Sequence, residues 1–579
     1  MELLERSATM TAHEAPLWER THIRVPRGNG TFLIQPDPAA ITQHVEQSRD
    51  QPELPDAAEC RLLNRELADF RVAARTEVIA AAAQWTSELL GRPVDAAVTA
   101  PVIMTGHQPE LFHPGVFAKN IATSELASRS GGVGLNLVVD NDLMAGTRIR
   151  VPAGDRRKPS VSSIEFDSAR APLPWEEARV KDLSLLESFS DRVTAAMGTW
   201  NVDPMIAECW PQVVAKARRH SGDDQNASLA ECLTAGRASL EHEWGLGNLE
   251  LPISRLCETD AFRSFAAHIL LNAEEFWSVY NQVLAEYRRT YRIRSSSHPV
   301  PELQSENGWY ETPFWIWRTD DPRRGRLFVQ QSDGVLILAT APDQSAIVHS
   351  LTLSPDDNFQ AAASVMGELQ NAGLRLRTRA LTTTLFSRLC LCDLFVHGIG
   401  GAKYDAMTDR IASRFFGVTL PDYLTLSATA WLPIGDPHSA SESDVSRLRQ
   451  MLRELQQNPQ RHVGPDLPPD AQSLVTEKLE LIAQQNAGGG SPSPAEISSP
   501  TETSRRGHQR YRRFPEINRA LAKLTLNQQN LIREELVTIE QRLAANRILT
   551  SREFSFCLYP AETIRSMIND LQSQLSSAE

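Results

Sequence analysis

The chain has 579 residues and a formal net charge of −13, with 41% hydrophobic and 23% charged residues. This is ordinary globular usage, which excludes a chain disordered throughout, a collagen and a coiled-coil rod, and the acidic balance disfavours a nucleic-acid partner. No stretch approaches the roughly 20 apolar residues of a membrane span, Met1–Glu19 has no apolar signal-peptide stretch, and the seven cysteines are scattered without a CxxC pair, so the expectation is a cytoplasmic protein with no membrane segment, disulfide framework or zinc site.

Residues 1–96 read as an N-terminal extension, with an extended segment over Leu17–Asp37 and a helix over Ala57–Leu90 that joins the core. Residues 97–435 read as an α/β core. AVTAPVIM (Ala97–Met104) predicts a strand, GHQPELFHPG a loop, Val116–Ser128 a helix and GLNLVV (Gly134–Val139) a second strand. Strand, glycine loop, helix, strand is the sequence form of a βαβ unit with a parallel pair. A helical insertion is expected at about 184–290. Extended texture returns over Trp309–Arg318 and Arg326–Ala341, the latter with an Asp333-Gly334 hairpin signal. Cys390–His397 predicts a buried strand, Gly398–Gly401 a glycine turn, Ala402–Phe416 a helix and Leu424–Leu432 a further strand. Residues 436–579 read as a helical C-terminal region, interrupted by a Gly/Ser/Pro-rich linker at about 487–507.

Four clusters carry chemistry. Gly106-His107-Gln108-Pro109 through His113-Pro114-Gly115 closes a strand and opens a helix, with Lys119 one turn in. A helix N-terminus with glycine favours an anion, and imidazoles donate to phosphate oxygens. The alternative is a turn shaped by its prolines, with the histidines capping carbonyls. Asp140-Asn141-Asp142 ends the next strand. There an acid binds ribose hydroxyls, an amine or a metal, or merely forms an Asx turn. His397-Gly398-Ile399-Gly400-Gly401-Ala402-Lys403-Tyr404 is a second strand–glycine–helix junction, either an anion cradle or a tight turn. The aromatic run from Trp309 to Trp317, followed by Arg323, Arg324 and Arg326, reads mainly as a core-facing strand with a basic turn; Glu311 and Arg324 are its functional candidates. GxSxG, Walker A, HExxH and protein-kinase motifs are absent.

TGHQPELFHPGVFAKNIA, LNLVVDND and LFVHGIGGAKYDAMTDRIASRFFG together resemble the bacillithiol-biosynthesis cysteine-adding enzymes over roughly Val98–Leu432. That family has a TGQQ-type loop, an acid-rich turn and a GPGE-type loop in the same order. Here His107 stands in place of a Gln, Asn141 in place of a His between the acids, and GIGG in place of GPGE, so the resemblance is to a divergent member. It implies a Rossmann-like parallel-sheet core with a helical insertion and a coiled-coil-like helical C-terminal region. It implies a ligase that forms an amide between a carboxyl compound, such as cysteine or another amino acid, and an amine such as an aminosugar conjugate.

On that reading His107, His113, Asp140 and Asp142 are the catalytic candidates. Gly106, Gln108, Gly115, Lys119, Glu311, Arg324, His397, Gly398, Gly400, Gly401, Lys403 and Tyr404 are the substrate- or nucleotide-binding ones. No metal ligand set is assigned. ATP or ADP is the expected cofactor, the partner is a small molecule, and the C-terminal helices would support a homodimer. The alternatives are a scaffold that keeps the fold without the chemistry, and a nucleotidyl- or glycosyl-transferring enzyme.

Overall fold

Runs of branched and aliphatic residues form one six-stranded sheet in the computed structural model of the chain: Thr31–Gln35 (β1), Val102–His107 (β2), Val133–Val138 (β3), Leu249–Pro252 (β4), Leu394–His397 (β5) and Tyr423–Thr429 (β6). The structure describes residues 23–41, 43, 45, 54, 59–98, 100–219, 227–487 and 513–576. Met1–Glu19 and all but the first residue of the expected linker lie outside them. The strand order is β1-β6-β5-β2-β3-β4. β2 to β6 are mutually parallel, and β1 closes the β6 edge antiparallel. All six residues of β3 are buried, as expected of a parallel strand covered on both faces.

Pro114–Ser130 (α1) links β2 to β3, and Ile399–Ile411 (α2) lies between β5 and β6. Both begin within the glycine-bearing segments, so Gly398 caps α2 and Gly400 and Gly401 belong to its first turn. The expected turn before a helix starting at Ala402 is therefore the helix start itself. The helix of the N-terminal extension begins at Leu67, after a small hairpin of Arg61–Leu62 and Arg65–Glu66. It buries a stripe at helical spacing, Leu67, Phe70, Ala74, Val78 and Ala82 in the main core and Trp85 and Leu89 in a smaller cluster with Val138, Ala235 and Ala238.

One expectation needs correction. The insertion at about 184–290 is not helical throughout, because β4 lies inside it. Glu250 sits mid-strand yet is buried, its carboxylate receiving Arg237 Nη1 and Nη2 at 2.8 and 2.6 Å. The extended texture after Trp309 does not extend the parallel sheet. It forms a separate antiparallel sheet in the order Ile347–Thr352, Val335–Ala339, Asp321–Ser332, Trp309–Arg318, Leu374–Thr378. Its Asp333-Gly334 turn has φ of 51° and 79° and joins directly paired Ser332 and Val335, the two-residue hairpin geometry that twisted strands prefer.

The chain divides into two units, the first comprising Met1–Val151, Ser162–Pro433 and Arg552–Glu579, the second Pro152–Val161 and Ile434–Ser551. The expected C-terminal region is thus divided, its last residues returning to the first unit. In the second unit, Glu442–Gln457 begins with a capping box: Asp444 N donates to Ser441 Oγ (3.2 Å) and Ser441 N to the Asp444 carboxylate (3.0 Å). Val445, Leu448, Leu452 and Leu455 of this helix pack against Ile532, Leu536, Ile539 and Leu543 of Leu526–Leu549. No helix among the described residues is long and apolar enough to cross a membrane.

Candidate active site

Outward from β2 the chain builds β3 and β4 on one side, then returns to build β5 and β6 on the other. The strand order reverses between β2 and β5. In open α/β sheets the crevice beyond the carboxyl ends of strands at such a reversal is where ligands bind. His107 is the last residue of β2 and His397 the last of β5. Both line one cavity of about 690 Å³ that lies wholly within the first unit.

The first wall is the β2–α1 junction. His113 caps α1, its Nδ1 accepting the Gly115 amide at 3.0 Å, and Pro114 opens the helix. That bond makes Nδ1 the unprotonated nitrogen, so Nε2–H is a donor. His107 is set the other way. Its Nδ1 lies 3.2 Å from the Gln108 carbonyl and must donate to it, which leaves Nε2 as an acceptor. Burial, then the nearby Lys119, holds His107 down to about 3, and burial with Arg552 holds His113 down to about 4. Both rings are therefore neutral at neutral pH, and His107 is a proton or hydrogen-bond acceptor rather than the charge-stabilising donor expected from sequence. Gly115 has no room for a side chain: a Cβ would come within 2.6 Å of the Ala428 carbonyl and 2.8 Å of His113 Cε1. Lys119, one turn into α1, donates from Nζ to the Gly106 carbonyl at 2.7 Å and is lowered to about 7 by burial.

The second wall is the β5–α2 junction. His397, Gly398, Gly400, Gly401 and Tyr404 all line the cavity. His397 Nε2 lies 2.9 Å from Asp405 Oδ2, and the same oxygen accepts from Arg388 Nη1 at 2.7 Å. Asp405 is fully buried. Desolvation would raise it, but the Arg388 charge and the hydrogen bond with His397 outweigh burial and hold the carboxyl well below its usual range. The N-terminal amides of two helices, α1 and α2, thus open onto one space, each end adding partial positive charge.

The third wall carries guanidinium groups. Arg324 Nη1 donates to Asp142 Oδ1 at 2.8 Å, and Gln108 Nε2 to Asp142 Oδ2 at 2.9 Å. Burial opposes ionisation of Asp142, but these two bonds keep its carboxyl below the ordinary value. Arg324 and Arg379 lie 4.4 and 4.2 Å from the centroid of the Trp315 ring, so the indole is a shared cation–π platform. Arg379 is anchored on buried Glu311 at 2.7 Å, and its Nε has no hydrogen-bond partner. Arg552 reaches Ser427 Oγ at 3.0 Å and Thr429 Oγ1 at 3.3 Å. It is delivered by the returning C-terminal segment, where Phe556 N donates to the Phe112 carbonyl at 2.8 Å.

The geometry therefore joins Gly106, His107, Gln108, His113, Gly115, Lys119, Asp142, Arg324, His397, Gly398, Gly400, Gly401 and Tyr404 in one cavity. Three expected residues lie elsewhere. Asp140 faces a different, smaller cavity, where Ser254 N and Oγ donate to it at 2.9 and 2.5 Å. Glu311 is buried behind Arg379 rather than exposed to the cavity. Lys403 is an exposed residue of α2 that does not line the space. Arg379 and Arg552 were not foreseen from sequence. Nothing local marks Arg552, and Arg379 stands at an inconspicuous strand end.

Among the described residues no group of three or more His, Cys, Asp or Glu is placed to hold a metal ion. All seven cysteines are buried and free, and burial pushes thiols such as Cys257 and Cys392 up to about 12, which removes them as nucleophiles. No protein-family model matches the chain, and no curated protein matches it.

Proposed function

We propose that this cavity is the active site of an enzyme that forms an amide between a carboxyl compound, such as cysteine or another amino acid, and an amine such as an aminosugar conjugate. The observation that carries this reading is the meeting of two helix N-termini over Lys119, with Arg324, Arg379 and Arg552 in the same wall. That is a site for anionic groups, a carboxylate or a phosphate, with hydrogen-bond acceptors beside it. On this proposal the parallel strands form a Rossmann-like core, and α1, α2 and Lys119 would hold the phosphates of ATP or ADP. Such a nucleotide supplies an activated carboxyl group. Asp142 keeps Gln108 and Arg324 oriented, and His113 Nε2–H donates to the developing oxyanion.

The helix pair of the second unit is the proposed coiled-coil-like region. Its apolar residues recur at alternating intervals of three and four, and the flank of Leu526–Leu549 that carries Leu531, 66% exposed, is the surface proposed for a homodimer. Free buried thiols fit a reducing cytoplasm. The test of the active site is calorimetry on the full chain with ATP, ADP, cysteine and glucosaminyl-malate. Binding of ADP or ATP that is lost in Lys119→Met supports the proposal. No heat with any of the four overturns it.

A further inference from the structure

Amide formation sheds a proton from the attacking amine, and the cavity must contain a group to take it. Four nitrogen bases line the space, His107, His113, Lys119 and His397, and the lone pair of His113 already accepts the Gly115 amide. His107 has a cation, Lys119, for a neighbour and no carboxylate partner among its hydrogen bonds. Lys119 bonds only to a backbone carbonyl. Neither has a counter-charge to stabilise the protonated form.

His397 differs from both. Its Nε2 faces Asp405, which is ionised and pinned by fully buried Arg388. An ionised carboxylate only accepts, so Nε2 carries the hydrogen, and in the neutral ring Nδ1 has the lone pair. Nδ1 has no hydrogen-bond partner among the described residues. It lies against Gly401, where a Cβ would sit 2.6 Å from Nδ1 and 3.4 Å from Cε1. Only glycine at this position lets the imidazole edge pack this close to α2, and His397 remains among the residues that line the cavity. The ring is wedged between Phe395 (4.4 Å between centroids) and the edge-on Tyr423 (5.4 Å), which fixes its plane. The charged and titratable groups around it are Asp405 from α2, Arg388 beside that carboxylate, Tyr423 from β6 and Lys119, whose Cδ approaches the neighbouring Gly398.

We propose that His397 is the base of this site, with Asp405 as the positioning residue that fixes its tautomer and Gly401 as the small residue on which the ring is seated at the cavity wall. This rests on the amide-forming reading of the cavity. The amine lone pair forms the C–N bond at the acyl carbon of an acyl phosphate. The C–O bond to the phosphate breaks and its electron pair leaves on the phosphate oxygen. The proton shed by nitrogen passes to Nδ1, and the resulting imidazolium keeps its Nε2–H on Asp405. Asp405 thus acts in the way the carboxylate of a Ser-His-Asp triad does, where the Asp-to-Asn change inverts the histidine tautomer and lowers kcat about 10⁴-fold.

Two substrate-free measurements on the full chain test this. Two-bond ¹H–¹⁵N spectra of ¹⁵N-histidine-labelled protein, assigned with His397→Gln, should show the Nε2–H tautomer at His397, and Asp405→Asn should convert it to Nδ1–H. Diethyl pyrocarbonate, which acylates an unprotonated open imidazole nitrogen, should label His397 in the native chain, and Gly401→Ala should lose that label. An Nδ1–H tautomer in the native protein, or a His397 labelled only after denaturation, overturns the proposal. Asp405→Asn leaves Arg388 its Asp409 partner at 2.7 Å; if that variant does not fold, the native tautomer and Gly401→Ala still decide. A His397 that behaves as described in a chain that binds neither nucleotide nor cysteine counts against the amide-forming reading and leaves the dyad intact.

Discussion

Asp140 and Asp142, two residues apart in one turn, face two different cavities. Asp142 looks into the space shared with His107 and His397, tied to Gln108 and Arg324. Asp140 turns behind β3 and β4 to Ser254, beside Glu176 and Arg377. Their electrostatics diverge accordingly. Burial, then the Glu176 charge, pushes Asp140 up to about 7, whereas Asp142 is held low by its two partners.

The consequence is a separation of phenotypes. Between about pH 4 and pH 7 the folded chain holds a proton on Asp140 that the unfolded chain has released, so stability falls as pH rises through that window. Asp140→Asn should therefore raise Tm at pH 8, by the equivalent of a few kcal/mol at most, and leave it nearly unchanged at pH 4. Thermal melts at the two pH values check this. Asp142→Asn should change Tm little and weaken ADP binding severalfold by freeing Arg324. An Asp140→Asn variant that loses ADP binding while Asp142→Asn keeps it would reverse the assignment.

Lys119 makes anion affinity pH-dependent. With burial lowering it to about 7, it is about half charged at neutral pH. Affinity for sulfate, which does not itself titrate in this range, should fall as pH rises from 6 to 8. Lys119→Met should bind sulfate more weakly and without that dependence, and Lys119→Arg should bind with no fall. The stability sign is also defined. The unfolded chain holds the proton that the folded one loses between about pH 7 and the ordinary lysine range, so stability rises with pH across that window. Lys119→Met should accordingly melt higher than the parent at pH 6, with the difference shrinking above pH 9. Calorimetry and melts read the two effects separately.

The cavity was legible in the sequence where local order carries it. The strands at Ile103, Leu135, Phe395 and Leu426 are short runs rich in aliphatic and β-branched residues, and a glycine-bearing segment follows two of them. That places His107 and His397 at strand ends, and neighbouring parallel strands do the rest. β4 was not legible because LELP is four residues long with an acid in the middle, and only tertiary pairing with Arg237 explains a buried Glu250. Asp140 and Asp142 were inseparable because period-two alternation ends with the strand, and beyond it the turn decides direction. Arg552 came from more than 100 residues past the last core strand, a placement set by Phe556 docking on Phe112 and Phe117 rather than by any local pattern.

Gly115 tests the close approach that seats α1. Ala at this position collides with the Arg552 guanidinium, the Ala428 carbonyl and the His113 ring together, and in a packed interior such overfilling costs about 1–3 kcal/mol. Gly115→Ala should lower Tm. It should also disturb the ring that caps α1, seen as loss of protection of the Gly115 amide in hydrogen exchange. Gly400→Ala is the control: a Cβ there meets nothing within 4 Å, so Tm should stay close to that of the parent.

Glu311 and Arg379 form the last separable unit. Glu311 is 2% exposed, with Arg379 at 2.7 Å and Arg326 only at 3.6 Å. The Gln304 amide also donates to it at 3.0 Å. Removing the arginine leaves a buried carboxylate with one distant counter-charge, and stranding one partner of a buried pair costs about 3–5 kcal/mol. Removing both partners relieves the stranded charge. Arg379→Met should thus be strongly destabilising, and Glu311→Leu/Arg379→Met should recover most of the loss in a double-mutant cycle read by urea unfolding. The double variant should still bind ADP weakly, because Arg379 lines the cavity and Glu311 does not. Full ADP affinity in the refolded double variant would mean that the guanidinium beside Trp315 holds the wall together and touches no ligand.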